Sequence, residues 1–399
     1  MDTQAQRAPL MTGVSFLLLA AAGMPLLVFF AIGLLGPDLM VDLFLDPIRL
    51  GGIAGLSFGM AALLSPWAVG WVRAMGNRAS LVTLFFLVGV SLSLIAAMPG
   101  MLGLILAALC GGTALALSTP VAYQCIAEEV PPQRATLVLS FQQAGLAAAA
   151  LFAGLTLPGL AFEWGWRSAL AIWAPVALLM AIQVFTWLPA RQDEGRTMRG
   201  HRVRLPNRRL GLLMIMQACS GFVLAAFITF FGVYTNQLDI DADSSGLMLA
   251  AFGLAGILSG WLFNRAARSL EDESIIIGML FSMAGLALAL MRLADPESLW
   301  LLWLAAIAMG LTLCPTQAIA MNMLIRDPRF GGASAVRGLL SLAWLGGAAL
   351  GPLCFAWLLT HTERFDSAWL TLVAVLLFGC LLGIRLMHVR KPGLVTVEE

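Results

Sequence analysis

The run Phe58-Gly-Met-Ala-Ala-Leu-Leu-Ser-Pro-Trp67 returns in the second half of the chain as Phe252-Gly-Leu-Ala-Gly-Ile-Leu-Ser-Gly-Trp261, identical at six of ten positions. Two further registers run in the same order. Gly13 and Gly23 fall opposite Gly211 and Gly221 at an offset of 198, and Thr119, Pro131, Gly154 and Arg167 fall opposite Thr316, Pro328, Gly351 and Arg364 at an offset of 197. A repeat of this length means two related structural units that pair with one another.

Both copies of the run sit in stretches free of Asp, Glu, Lys and Arg. The chain of 399 residues is 60% hydrophobic and 11% charged, far below the charge of a soluble domain. Charge-free stretches cover 8–37, 50–72, 79–127, 135–162, 168–190, 210–238, 244–264, 274–291, 298–325, 338–362 and 367–384. Each is about the 20 residues that a helix needs to cross a bilayer, or longer. The stretch 79–127 is twice that and carries Met98-Pro99-Gly100 at its middle, which divides it into two helices. The expected fold is therefore all-α and integral to the membrane, with twelve spans. Unbroken apolar runs, rather than short alternating ones, exclude a β-barrel.

Basic residues set the orientation. With the N-terminus cytoplasmic, 19 of the 23 Lys and Arg lie on the inner side, and Arg49, Arg167, Arg292 and Arg364 lie outside. Both termini are expected in the cytoplasm, and the first apolar run is too long for a cleaved leader. The Arg-rich segment 191–209 divides the spans six and six, giving bundles at 1–190 and 210–399 joined by a cytoplasmic linker. A net charge of +1 with scattered basic residues argues against a nucleic-acid partner. The cytoplasmic (inner) cell membrane, its lipid and a monomeric state are the expected setting.

Across essentially its whole length the chain resembles the major facilitator superfamily. The resemblance is carried by Gly165-Trp166-Arg167 after span 5, Gly346-Gly347 and Gly351-Pro352 in span 11, the loop Gly70…Arg73…Gly76…Arg78, and Gly260…Asn264-Arg265. Leu157-Pro158 followed by Gly165-Trp166-Arg167 is similar to the cyanate-permease-like branch. The resemblance implies two pseudo-symmetric six-helix bundles rocking about a central site, with Gly70, Arg73, Arg78, Asn264 and Arg265 as gating residues. It departs from the family pattern in the loop between spans 2 and 3, where relatives usually carry an Asp. No Asp or Glu occurs between 47 and 127 here, and Arg73 or Ala74 stands at that place.

The spans hold no Asp, Glu, Lys or Arg, and the three histidines, His201, His361 and His388, fall outside them or at an end. Mid-membrane ionisable groups are the usual proton carriers and ion-pair partners, so a neutral or zwitterionic solute is favoured over an anion. Coupling to protons would have only Asp42, Asp46, Glu128 and Glu129, at span edges, to work with.

The resemblance implies that spans 1, 4, 7 and 10 line the cavity. Polar side chains gather on spans 4, 5, 7 and 10, and a side-chain amide facing lipid is costly. The candidate solute ligands are Thr119, Tyr123 and Gln124 on span 4, Gln142 and Gln143 on span 5, and Gln217 on span 7. Thr316, Gln317 and Asn322 on span 10 and Trp344 on span 11 complete the set. Hydrogen bonding between helices is the competing role for each glutamine.

Gly55-Leu-Ser57-Phe-Gly59 spells a hydrolase elbow, but it lies in an apolar helix without a partner histidine, and no enzyme activity is expected. Six cysteines without paired spacing give no metal site, and no cofactor motif occurs. Proton-coupled transport and uncoupled movement of an amphiphile both fit these residues. A sensor built on a transporter fold is the alternative from another class.

Overall fold

The computed structural model describes residues 2–98, 100–188, 207–269, 273–295, 297–330 and 333–390, all of them in helices or short connections. The first half comprises α1 (Asp2–Leu34), α2 (Gly36–Asp42), α3 (Pro47–Ala97), α4 (Met101–Glu129), α5 (Pro132–Gln143), α6 (Gly145–Ala171) and α7 (Trp173–Trp187). The second comprises α8 (Arg208–Gln237), α9 (Ala242–Ser269), α10 (Glu273–Met291), α11 (Trp300–Arg326), α12 (Ala333–Thr362) and α13 (Phe365–Arg390). The linker expected at 191–209 lies outside the described residues up to 206.

Ten segments of the described residues are long and apolar enough to cross a membrane. Two of them, Pro47–Ala97 and Gln133–Trp187, exceed 50 residues, and each is broken by a glycine in a conformation closed to other residues. Gly76 has φ 77° and ψ 167°, and Gly165 has φ 78° and ψ 154°. At Gly165 a Cβ would meet no atom within 4 Å, so the backbone conformation alone demands glycine. Gly165→Ala is expected to cost about 1–3 kcal/mol of stability, read as a lower unfolding temperature in detergent. The turn expected at Met98-Pro99-Gly100 is also present, with Gly100 at φ 88° between α3 and α4.

The bundle has a linker end, where α1 and α8 begin, and an opposite end. Near the opposite end the two halves touch through backbone. A Cβ on Gly51 would lie 2.6 Å from the Pro352 carbonyl oxygen, and one on Gly154 would meet the Gly246 carbonyl and lie 2.6 Å from Ala250 N. These pairings, α3 with α12 and α6 with α9, are the small-residue contacts that let membrane helices approach closely. The repeated phenylalanines also bridge the halves. Phe58 packs edge-on between Phe29 (4.3 Å) and Trp344 (6.0 Å), while Phe252 lies 6.2 Å from Phe30. The motif that reveals the repeat thus supplies matched aromatic contacts across the interface.

At the linker end each half carries a side-chain tie to a carboxylate. Asn77, just after the Gly76 break, donates through Nδ2 to Glu128 at 3.0 Å, joining α3 to the end of α4. In the second half Arg326 at the end of α11 donates to the buried Glu273 at the start of α10, 2.9 Å away. Arg78 reaches sideways within the first half, donating to the Phe185 carbonyl at 3.1 Å and lying 4.4 Å over its ring. Gly70 and Arg73 are half-buried along α3. The side chains of Asn264 and Arg265 lie outside the described residues.

Candidate functional site

Between the two halves, on the linker side of Phe58 and Trp344, lies a cavity of about 90 Å³. Six helices line it, α6 through Leu146 alone. Helix α4 supplies Ser118, Thr119 and Tyr123, and α5 supplies Gln142 and Gln143. From the second half, α11 supplies Cys314, Gln317 and Met321, and α12 supplies Ser341 and Trp344. Ala22 and Leu26 of α1 close one wall.

Local sequence explains why these side chains point inward. Gln142 and Gln143 are consecutive, and in a regular helix they would diverge by about 100°. Helix α5 ends at Gln143, and Ala144 N bonds to the carbonyls of both Ser140 and Phe141, at 3.3 and 3.2 Å. Beyond it Gly145 presses on α1, where a Cβ would lie 2.5 Å from that of Ala22 and 2.9 Å from Gly23 N. This turn brings both amides onto the cavity wall. Among the described residues, no protein group hydrogen-bonds the side chains of Ser118, Thr119, Gln142, Gln143 or Gln317. Their donors and acceptors are left for water or a bound molecule.

Of the ten candidate ligands, Thr119, Tyr123, Gln142, Gln143, Gln317 and Trp344 come together in this cavity. Gln217 and Thr316 do not. They face each other across the α8–α11 crossing, where Gln217 Nε2 donates to the Thr316 carbonyl at 3.2 Å and both side chains are fully buried. The physical reason is helix phase: Thr316 and Gln317 are adjacent, so one faces α8 and the other the cavity. Gln124 and Asn322 are half-buried on α4 and α11, outside the lining. Thr113 and Thr312 satisfy their own helices, donating to the carbonyls four residues back.

Ser118, Ser341, Cys314 and Leu26 also line the cavity and are not among the ten candidates. Ser341 lies three residues before Trp344, on one helix face, a spacing that pointed to it. Cys314 stands in the same relation to Gln317. Among the described residues the lining carries no Asp, Glu, Lys, Arg or His. It offers amides, hydroxyls and one indole face, a set that recognises uncharged or internally compensated groups.

The family model of the Major Facilitator Superfamily matches residues 17–336. No curated protein matches the chain. Among solved structures it is similar to a bacterial homologue of the human lysosomal transporter Spinster. In the inward-facing, occupied form of that protein the TM-score is 0.75 at 16% identity, covering 95% of this chain and 97% of the other. In the inward-facing, unoccupied form the TM-score is again 0.75, at 15% identity, covering 96% and 98%. At such identity the likeness is one of fold.

Proposed function

The chain belongs to the major facilitator superfamily, and from that premise we propose that it carries a small neutral or zwitterionic organic solute by alternating access. It is a multi-pass membrane transporter rather than an enzyme. With 47–97 and 133–187 each counted as two crossings, the spans number twelve, in bundles at 1–190 and 210–399. The arginine asymmetry favours both ends in the cytoplasm, and the cytoplasmic membrane is the corresponding location.

The observation that carries this reading is the interfacial cavity, in which Gln142, Gln143 and Gln317 from opposite halves present unpartnered amides beside Trp344. A solute that engages both halves favours the state in which they close on it, which is how binding drives the conformational exchange. The space of about 90 Å³ is below the 300–1,000 Å³ of typical ligand pockets, so the site must widen to admit more than a very small molecule. The backbone contacts at the opposite end and the polar lining toward the linker end favour a structure near the inward-facing state.

A thermal-stability screen of the purified protein against neutral, zwitterionic and anionic solutes tests the substrate class. The expected result is stabilisation by a neutral or zwitterionic compound; stabilisation by anions alone would overturn it. Proton coupling finds little support in the edge carboxylates. Asp42 accepts the Trp166 indole N–H at 2.7 Å and Glu128 accepts the Asn77 amide, so both have structural roles. Uptake into proteoliposomes is expected not to respond to an imposed pH gradient.

A further inference from the structure

The crossing of α8 and α11 buries an amide oxygen that no donor reaches. Thr316 Oγ1 donates to the Leu313 carbonyl at 2.7 Å, which uses its only proton. The 2.9 Å contact between the Thr316 and Ser220 hydroxyls therefore has Ser220 as donor, and Ser220 keeps its lone pairs unspent. Gln217 directs an N–H at the Thr316 carbonyl, 3.2 Å away, while its Oε1 is buried with no hydrogen-bond partner. Gln217, Ser220 and Thr316 are all fully buried.

A buried acceptor left without a donor is destabilising, and Gln217 Oε1 is one, beside two hydroxyl oxygens with lone pairs to spare. An amide oxygen and two hydroxyl oxygens form the kind of neutral oxygen set that replaces the hydration shell of an alkali cation. Their neutrality selects a single charge. A divalent ion is normally held by carboxylates, and the membrane-spanning parts of α8 and α11 have none.

We propose that the side-chain oxygens of Gln217, Ser220 and Thr316 bind a sodium-sized monovalent cation at the α8–α11 crossing. Thr316 lies between Cys314 and Gln317, both of which line the solute cavity, so an ion here fixes the face of α11 that presents Gln317. Occupancy then pre-organises the second half of the solute site and supplies a driving ion without an ionisable residue in the spans. The link to solute rests on the transporter reading; the binding of the ion does not.

Radiosodium binding to the purified protein, with no solute present, tests the site. The expected result is saturable binding displaced by sodium and lithium but not by choline. Ser220→Ala, which leaves the Thr316-to-Leu313 bond intact, is expected to weaken it about ten- to hundredfold, and Gln217→Met to abolish it. Thermal unfolding of each variant in choline chloride separates loss of the ion from loss of the fold. Absence of saturable binding to the wild-type protein, or binding unchanged in folded Ser220→Ala and Gln217→Met, would overturn the proposal. In proteoliposomes, uptake that persists at an equal rate with and without a sodium gradient would overturn the coupling while leaving the transporter reading in place.

Discussion

Replacing Gly154 by Leu is expected to abolish transport while leaving a folded protein whose halves no longer close at the end opposite the linker. Gly154 of α6 and Gly246 of α9 meet backbone to backbone, and even a Cβ at 154 would collide with the Gly246 carbonyl and with Ala250 N. Both of those obstacles are main chain, so neither can rotate away. A leucine must hold the helices apart or be expelled toward lipid. Reversing a two-state equilibrium from 99:1 to 1:99 takes about 5.5 kcal/mol, and a backbone collision of this kind is of that order. Solute binding is expected to survive, because Gly154 lines no part of the cavity. The check is uptake together with labelling of a cysteine placed near the end opposite the linker: lost uptake with raised labelling is the expected pair. Gly211→Ala on α8, where a Cβ meets nothing within 4 Å, is the control and should leave both unchanged.

The second large effect is expected at the glutamines. Gln143→Ala and Gln317→Ala each remove one amide facing the cavity, one from each half. A net neutral hydrogen bond contributes about 0.5–1.5 kcal/mol, so each single variant should weaken solute binding roughly threefold to tenfold, and the double variant should lose more than either. Unfolding temperature should be nearly unchanged, since neither amide has a protein partner among the described residues. Gln217→Ala differs in kind. It breaks the bond to the Thr316 carbonyl in the buried crossing and should lower the unfolding temperature directly. Unchanged affinity in Gln143→Ala and Gln317→Ala, with a lower unfolding temperature, would assign those glutamines to helix packing.

The fold was legible in the sequence because its two determinants are linear. Span length is written in the gaps between charges, and the divisions of the two long helical runs are written as Gly76 and Gly165, residues for which a backbone at φ near 77° is accessible. The repeat was legible too, though its mechanical meaning was not. Nothing in the string Phe58-Gly-Met says that its ring meets Trp344 of the other half, because that contact depends on how α3 and α12 cross.

The site was legible by residue type and not by direction. Polar residues in an apolar span must face protein or water, which is why Gln142, Gln143 and Gln317 stood out, but the same rule marked Gln217 and Thr316 equally. The choice between cavity and crossing is made by helix phase and by the turn at Ala144, which no residue on its own announces. The expected gate residues show the same limit. Arg78 was singled out by resemblance, and its guanidinium is engaged with Phe185 inside the first half. The ties at the linker end instead involve Asn77, Glu128, Glu273 and Arg326, which the family pattern did not mark.

Alternating access between two bundles is the central claim, and paired distance measurements test it most directly. Spin labels at Val41 and Asp243 report the ends of the two halves opposite the linker, and labels at Gln133 and Arg329 report the linker ends; all four positions are exposed. With the six native cysteines replaced, distances would be recorded with and without a solute that stabilises the protein in the thermal screen. The account predicts reciprocal changes, the pair opposite the linker separating as the linker-end pair closes. Distances at both ends that stay fixed in every condition would contradict it and favour a sensor that keeps the transporter fold without moving its solute.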